Sequence, residues 1–83
     1  MKHAREDYNR IQDPAGLIPQ DEPVFLIRGQ DRCGPEALRN YARLAALAGA
    51  ETGVIRLTLD HARLMEQWQA EHRQKTPDLT KTA

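Results

Sequence analysis

The chain has no serine, a single cysteine, and only four aromatic residues, Tyr8, Phe25, Tyr41 and Trp68. Without serine, nucleophilic catalysis falls to Cys33 or a threonine. A lone cysteine cannot close an internal disulfide, and it excludes a zinc site built from several cysteines. No apolar run approaches the ~18 residues of a membrane span. Met1-Lys2-His3-Ala4-Arg5-Glu6-Asp7 is followed by no apolar segment of the kind that marks a secretory signal. Neither sign of charge prevails, with twelve Lys+Arg against twelve Asp+Glu and a formal net charge of zero. Collagen-like, low-complexity and strongly charged disordered classes do not fit this composition. The composition points to a small globular protein of the cytoplasm.

Eighty-three residues allow one small domain. Residues 1–7 are charged and nearly free of apolar side chains, and 74–83 are polar with Pro77 as a breaker. Both read as mobile ends around a single domain at 8–73. Cores of this size seldom supply more than about 3–5 kcal/mol, and small scaffolds without disulfides or metals often self-associate. A homodimer, or a chain stable mainly against a partner, is therefore expected.

Pro14, Gly16, Pro19 and Pro23 fall within ten positions. Proline fixes φ, lacks an N–H and restricts its predecessor, so residues 8–23 read as an extended arm. Leu17 and Ile18 are expected to pin that arm to the core. Val24-Phe25-Leu26-Ile27 has the length of one strand, whose partner would come from residues 8–18 or from a second subunit. Asp21-Glu22-Pro23 also resembles a helix start, so residues 23–28 are a short strand or a helical turn.

Gly34-Pro35 then opens a helix over about 35–48, with Gly34 as N-cap and Gly49 as its left-handed stop. Leu38, Tyr41, Ala42, Ala45 and Ala48 form its apolar stripe. A second helix, about 53–73, follows with Thr52 as N-cap. Val54, Leu57, His61, Leu64 and Trp68 are spaced 3,4,3,4 along it, with Met65 widening the seam. Ile55, Leu59 and Ala62 form a weaker second line. One side of this helix suits an antiparallel pairing with the first, and the other needs a separate cover. The expected class is mainly α: an extended N-terminal arm with its short element, then an antiparallel helix pair.

Constellations that carry chemistry are scarce. His61 and His72 lie about 16 Å apart along a helix and cannot share an ion, and no zinc-binding spacing is present. No metal or cofactor is expected. Cys33 at a helix start is the best available nucleophile, but a chain this short leaves little room for a pocket. The loop Gly29-Gln30-Asp31-Arg32-Cys33-Gly34 lacks the Gly-Lys-Ser/Thr ending of a phosphate loop, and Pro35 removes an N–H that such a loop would use.

Two surfaces are left. Trp68, with Met65 and His61, is the sort of anchor found at protein contacts. Arg28, Gln30, Asp31 and Arg32 form a polar loop that could join it. The alternative is a small DNA-binding regulator using Arg39, Arg43, Arg56 and Arg63. Residues 37–83 carry seven basic and five acidic side chains, a mild excess for that role.

Three stretches carry a resemblance. They are Tyr8-Asn9-Arg10-Ile11-Gln12-Asp13-Pro14-Ala15-Gly16-Leu17-Ile18-Pro19, the run Asp21-Glu22-Pro23-Val24-Phe25-Leu26-Ile27-Arg28-Gly29-Gln30-Asp31, and Pro35 to Trp68 with Asp60-His61-Ala62 and Met65. Over about residues 8–70 the chain resembles a family of small proteins encoded by bacterial phages and prophages. The resemblance implies a cytoplasmic accessory protein that binds a host protein and changes its activity. It carries over no catalytic residue.

Overall fold

The structure is a computed structural model that describes residues 1–4 and 13–79. The chain divides between Ile27 and Arg28, inside the span that composition treats as one domain.

In the N-terminal unit, β1 (Lys2–His3) pairs in parallel with β2 (Pro23–Val24), in the register Lys2 with Pro23 and His3 with Val24. The Lys2 N–H donates to the Glu22 carbonyl at 2.7 Å, and the Ala4 N–H donates to that of Val24 at 3.0 Å. This corrects two expectations. Among the described residues the strand pairs with the start of the chain, which the sequence did not suggest, so residues 2–4 are held by backbone bonds. Residues 5–12, which include the rest of the expected mobile N-terminus, lie outside the described residues. The apolar run gives only Val24 to the strand. Proline 23 sits at the first position of β2, where a strand tolerates the missing donor. Asp13 organises the following turn: its carboxylate accepts from the N–H groups of Leu17 at 3.3 Å and Ile18 at 2.9 Å. Gly16 in that turn has φ +64°, which a side chain would strain. Leu17, expected as a core anchor, is exposed, and Ile18 is half-buried.

The Arg28–Leu79 unit is a helix pair. Helix α1 spans Gly34–Leu47 and α2 spans Thr52–Glu71. Each start lies one residue before the expected one. Cys33 is the N-cap of α1, with Gly34-Pro35 in its first turn, and Glu51, not Thr52, caps α2. Pro35 is placed where a missing N–H costs nothing. Gly49 stops α1 with φ +82°. Its N–H donates to the Ala46 carbonyl at 3.1 Å and that of Ala50 to Ala45 at 2.9 Å, the two bonds of a Schellman ending.

Four residues join the helices, so they run antiparallel, and Arg39 near the start of α1 meets Glu66 near the end of α2. The packing line on α1 is Leu38, Ala42 and Ala45. On α2 it is Ile55, Thr58, Ala62, Met65 and Gln69. Alanines at the crossing let the backbones approach closely. Ala42, Ala62 and Met65 are the buried apolar residues, and no large side chain is fully buried.

This line lies one residue after the 3,4,3,4 line and decides which side of α2 faces α1. Val54, Leu57, His61, Leu64 and Trp68 are all exposed. The weaker line of Ile55 and Ala62 meets α1, completed by Thr58 and Gln69. Both polar members are satisfied: the Thr58 hydroxyl donates to the Val54 carbonyl at 2.7 Å, and Gln69 bonds the loop described below.

On one edge of the pair Arg39 donates to Glu66 at 2.5 Å and to Glu36 at 3.1 Å. The hydrogen bond from Arg39 holds the Glu66 carboxyl below its ordinary value, and Glu66, then Glu36, raise the guanidinium in turn. A depressed carboxylate stabilises the fold above its unfolded pKa, and that contribution is lost as pH falls through the folded one. Both side chains are partly exposed, so solvent screens the effect. Glu66→Gln should therefore lower stability slightly at neutral pH, leave it nearly unchanged in acid, and so reduce the loss of stability on acidification. Urea midpoints compared at neutral and acid pH check this, and an unchanged acid dependence would count against the pairing.

Candidate functional site

A simple rule of helix geometry places the side chains that α1 and α2 leave uncovered. When two antiparallel helices lie side by side, residues one position before each packing residue emerge on the same side of the pair, and residues one position after emerge on the other. The Arg39–Glu66 ion pair demonstrates the second half of the rule, since Arg39 follows Leu38 and Glu66 follows Met65.

On the preceding side lie Tyr41 and Leu44 of α1, with Val54, Leu57, His61, Leu64 and Trp68 of α2. Tyr41 is 57% exposed, Leu44 50%, Leu57 62%, Leu64 55% and Trp68 37%. Taking about 200 Å² for a whole large side chain, these five leave on the order of 500 Å² open. That equals the largest apolar patch of a typical monomer, and such patches mark contact sites. No Lys, Arg, Asp or Glu occupies either line. At its end Trp68 stacks on His72, with ring centroids 4.5 Å apart, and the Arg73 guanidinium stands 6.0 Å from the indole. These neighbours cover part of the indole and leave about a third of the residue open to solvent.

The following side is polar and carries all four arginines of the nucleic-acid alternative. Arg39 is paired with Glu36 and Glu66, Arg63 lies 3.9 Å from Asp60, and Arg43 donates to Asn40 at 2.7 Å. Arg56 is exposed. Carboxylates thus sit among the charges that a phosphate backbone would need.

The polar loop that sequence paired with Trp68 has another task. The Gln69 amide donates to the carbonyls of Gly29 and Asp31, both at 2.8 Å, and Gln74 donates to Gln69 Oε1 at 3.2 Å. Arg73 Nε donates to Gln30 Oε1 at 3.0 Å. The Lys75 N–H donates to the Gln30 carbonyl at 2.8 Å and that of Arg32 to the Lys75 carbonyl at 2.9 Å, a one-residue parallel bridge between Asp31 and Lys75. Gln30 is buried by these contacts and Met65 by α1. Both are withdrawn from the partner surface, because a buried side chain has nothing to present. Asp31 is half-buried and accepts from the Cys33 N–H, while Arg28 and Arg32 are exposed. The bridge also corrects the mobile tail at residues 74–76. Residues 80–83 lie outside the described residues.

The sequence reading found His61 and Trp68, which the structure places on one apolar line. It missed Tyr41 and Leu44 as members of the same face. Their exposure was hidden because Tyr41 was assigned to the packing stripe.

Other chemistry is sparse. Cys33 is exposed. A depression lined by Glu66, Gln69, Ala70 and Gln74 is open to solvent. Among the described residues, no three His, Cys, Asp or Glu side chains gather to hold an ion, and no helix is long and apolar enough to cross a membrane. Comparison with known proteins finds no matching family model, no matching curated protein and no matching solved structure.

Proposed function

We propose that this chain is a non-enzymatic protein–protein interaction module of the cytoplasm whose contact surface is the apolar face of its helix pair. The observation that carries this reading is the open line of Leu57, Leu64 and Trp68 beside Tyr41 and Leu44. Apolar surface of that extent is removed from water when a partner is present, at roughly 25 cal/mol per Å². Trp68 is the anchor, 37% exposed and with one ring face stacked on His72. The resemblance to phage and prophage proteins supplies the setting, an accessory protein that modulates a host protein, and the occupant of this face is that protein or a second copy of the chain.

The test is capture of partners from bacterial lysate after nuclease treatment, with the wild-type chain and Trp68→Ala side by side. One protein retained in stoichiometric amount by the wild type, and weakened about fivefold or more by Trp68→Ala, is the expected result. Equal retention by both removes Trp68 from the contact. The alternative, a DNA-binding regulator, draws on one observation: Arg39, Arg43, Arg56 and Arg63 share a face. It requires duplex binding that falls steeply with salt and survives Trp68→Ala.

A further inference from the structure

Two facts about the Arg28–Leu79 unit bear on what covers the apolar face. The first is how little it buries. Its buried apolar residues are Ala42, Ala62 and Met65, and no large side chain is fully enclosed. Larger apolar side chains stand on the open face than inside. A helix pair with such a core falls short of what an independent small domain needs, and natural scaffolds of this size make up the difference by association. A chain that depends on association for its stability must meet its partner whenever it is made. A second copy is the partner that is always made with it.

The second fact is the charge pattern. Ala37, Tyr41 and Leu44 on α1, and Val54, Leu57, His61, Leu64 and Trp68 on α2, include no Lys, Arg, Asp or Glu. The charged residues of α2 lie away from this line: Arg56, Arg63 and Glu66 on the opposite side, Asp60 and Glu71 at the outer rim. With Arg73 beside Trp68 as the one charge at its end, this largely neutral surface meets its own copy with little like-charge repulsion. An interface specialised for a charged partner would carry the complementary sign.

From these we infer that the apolar face is the interface of a homodimer, in which two helix pairs stack face to face as a four-helix bundle. The α2 line has the 3,4,3,4 spacing that bundle interfaces use, here as a second seam one residue before the one that meets α1. Its roughly 500 Å² of open large apolar side chains, together with Val54, His61 and the polar rim, approaches the ~800 Å² that each side of a standard interface buries. The interface is isologous, so Trp68 of each copy enters it. Arg39, Arg43, Arg56 and Arg63 stay on the outside. This inference rests on the reading of the face as a contact surface and names its occupant.

Sedimentation of the full chain over a wide concentration range tests it, with Trp68 as a built-in reporter because it is the one tryptophan. The expected species has twice the 9.4 kDa of the chain. Its emission should shift to the red on dilution as Trp68 returns to water. The double variant Leu57→Glu/Leu64→Glu should raise the dissociation constant about a hundredfold or more. Leu59→Glu, on the opposite side, should leave it unchanged. A dimer that survives the double variant overturns the inference, as does dissociation with no change in Trp68 emission. The dilution arm needs no variant, so an unfolded variant does not block the test. A helical wild-type monomer at every concentration also overturns it. In that case, binding of a hydrophobic dye that the double variant abolishes keeps the broader reading as a contact surface. A monomer that binds no dye removes that reading as well.

Discussion

Replacing Ala62 by leucine should cost about 2–3 kcal/mol and remove most of the stability of the helix pair at room temperature. Ala62 is completely buried between α1 and α2, across from an alanine-rich line on α1. The added carbons have nowhere to go unless the helices separate, and overpacking of a closed seam typically costs about 1–3 kcal/mol. In a larger protein that penalty would lower the midpoint of unfolding. Here it is comparable with the whole margin of about 3–5 kcal/mol available to a core this small. Ala62→Gly separates the causes. It adds no volume and should cost only about 1 kcal/mol, through helix propensity. Far-UV circular dichroism across a urea series measures both. A leucine variant as stable as the glycine variant would mean that the backbones do not approach as closely as the alanine seam implies.

Gln69→Ala is the second large effect, and it should be local first. One amide group donates to two backbone carbonyls, Gly29 and Asp31, and its oxygen accepts from Gln74. Its removal leaves carbonyl groups without partners in a partly buried place, at about 1–3 kcal/mol for an unsatisfied group. The loop at 29–32 and the chain at 74–76 are held mainly by this amide, by the Arg73–Gln30 bond and by the Asp31–Lys75 bridge. Hydrogen exchange should show the Arg32 and Lys75 amides losing protection, while the Ala42 and Ala62 amides keep theirs. Loss at all four together would mean that Gln69 acts through global stability. Protection retained at Arg32 and Lys75 would remove Gln69 from its bridging role.

The local punctuation of the fold was easy to read in the sequence, and the orientation of its faces was not. Gly34-Pro35 and Gly49 mark the ends of α1 because their backbone preferences are properties of single residues. The packing line of α2 was harder. Counting apolar residues favours Val54, Leu57, Leu64 and Trp68, yet the helices meet through Ala62 and Met65 with Thr58 and Gln69 in the same row. Thr58 hides its hydroxyl in its own helix, and Gln69 uses a loop forty residues away. Neither partner is visible in a periodicity. The sequence shows two apolar lines on α2 without showing which one meets α1: the larger set faces outward, where the contact surface is proposed. The strand was misjudged for a similar reason, since its partner Lys2–His3 carries no apolar signal. The stitching of residues 74–76 depends on backbone groups, which composition does not record.

Two helices lying side by side make a raft one helix thick. Most side chains of α1 and α2 belong either to the single line where the timbers touch or to one of two skins. No deep interior exists in which a substitution could be absorbed by its surroundings. Tolerance to change along α1 and α2 should therefore repeat every three to four residues in three grades: least at the joint, graded by apolar character on the skin with Leu57 and Trp68, and broad on the skin with the arginines. The amount of change such a raft accepts depends on which skin is wetted, so the same residue is permissive in a lone copy and restrictive once that skin is covered.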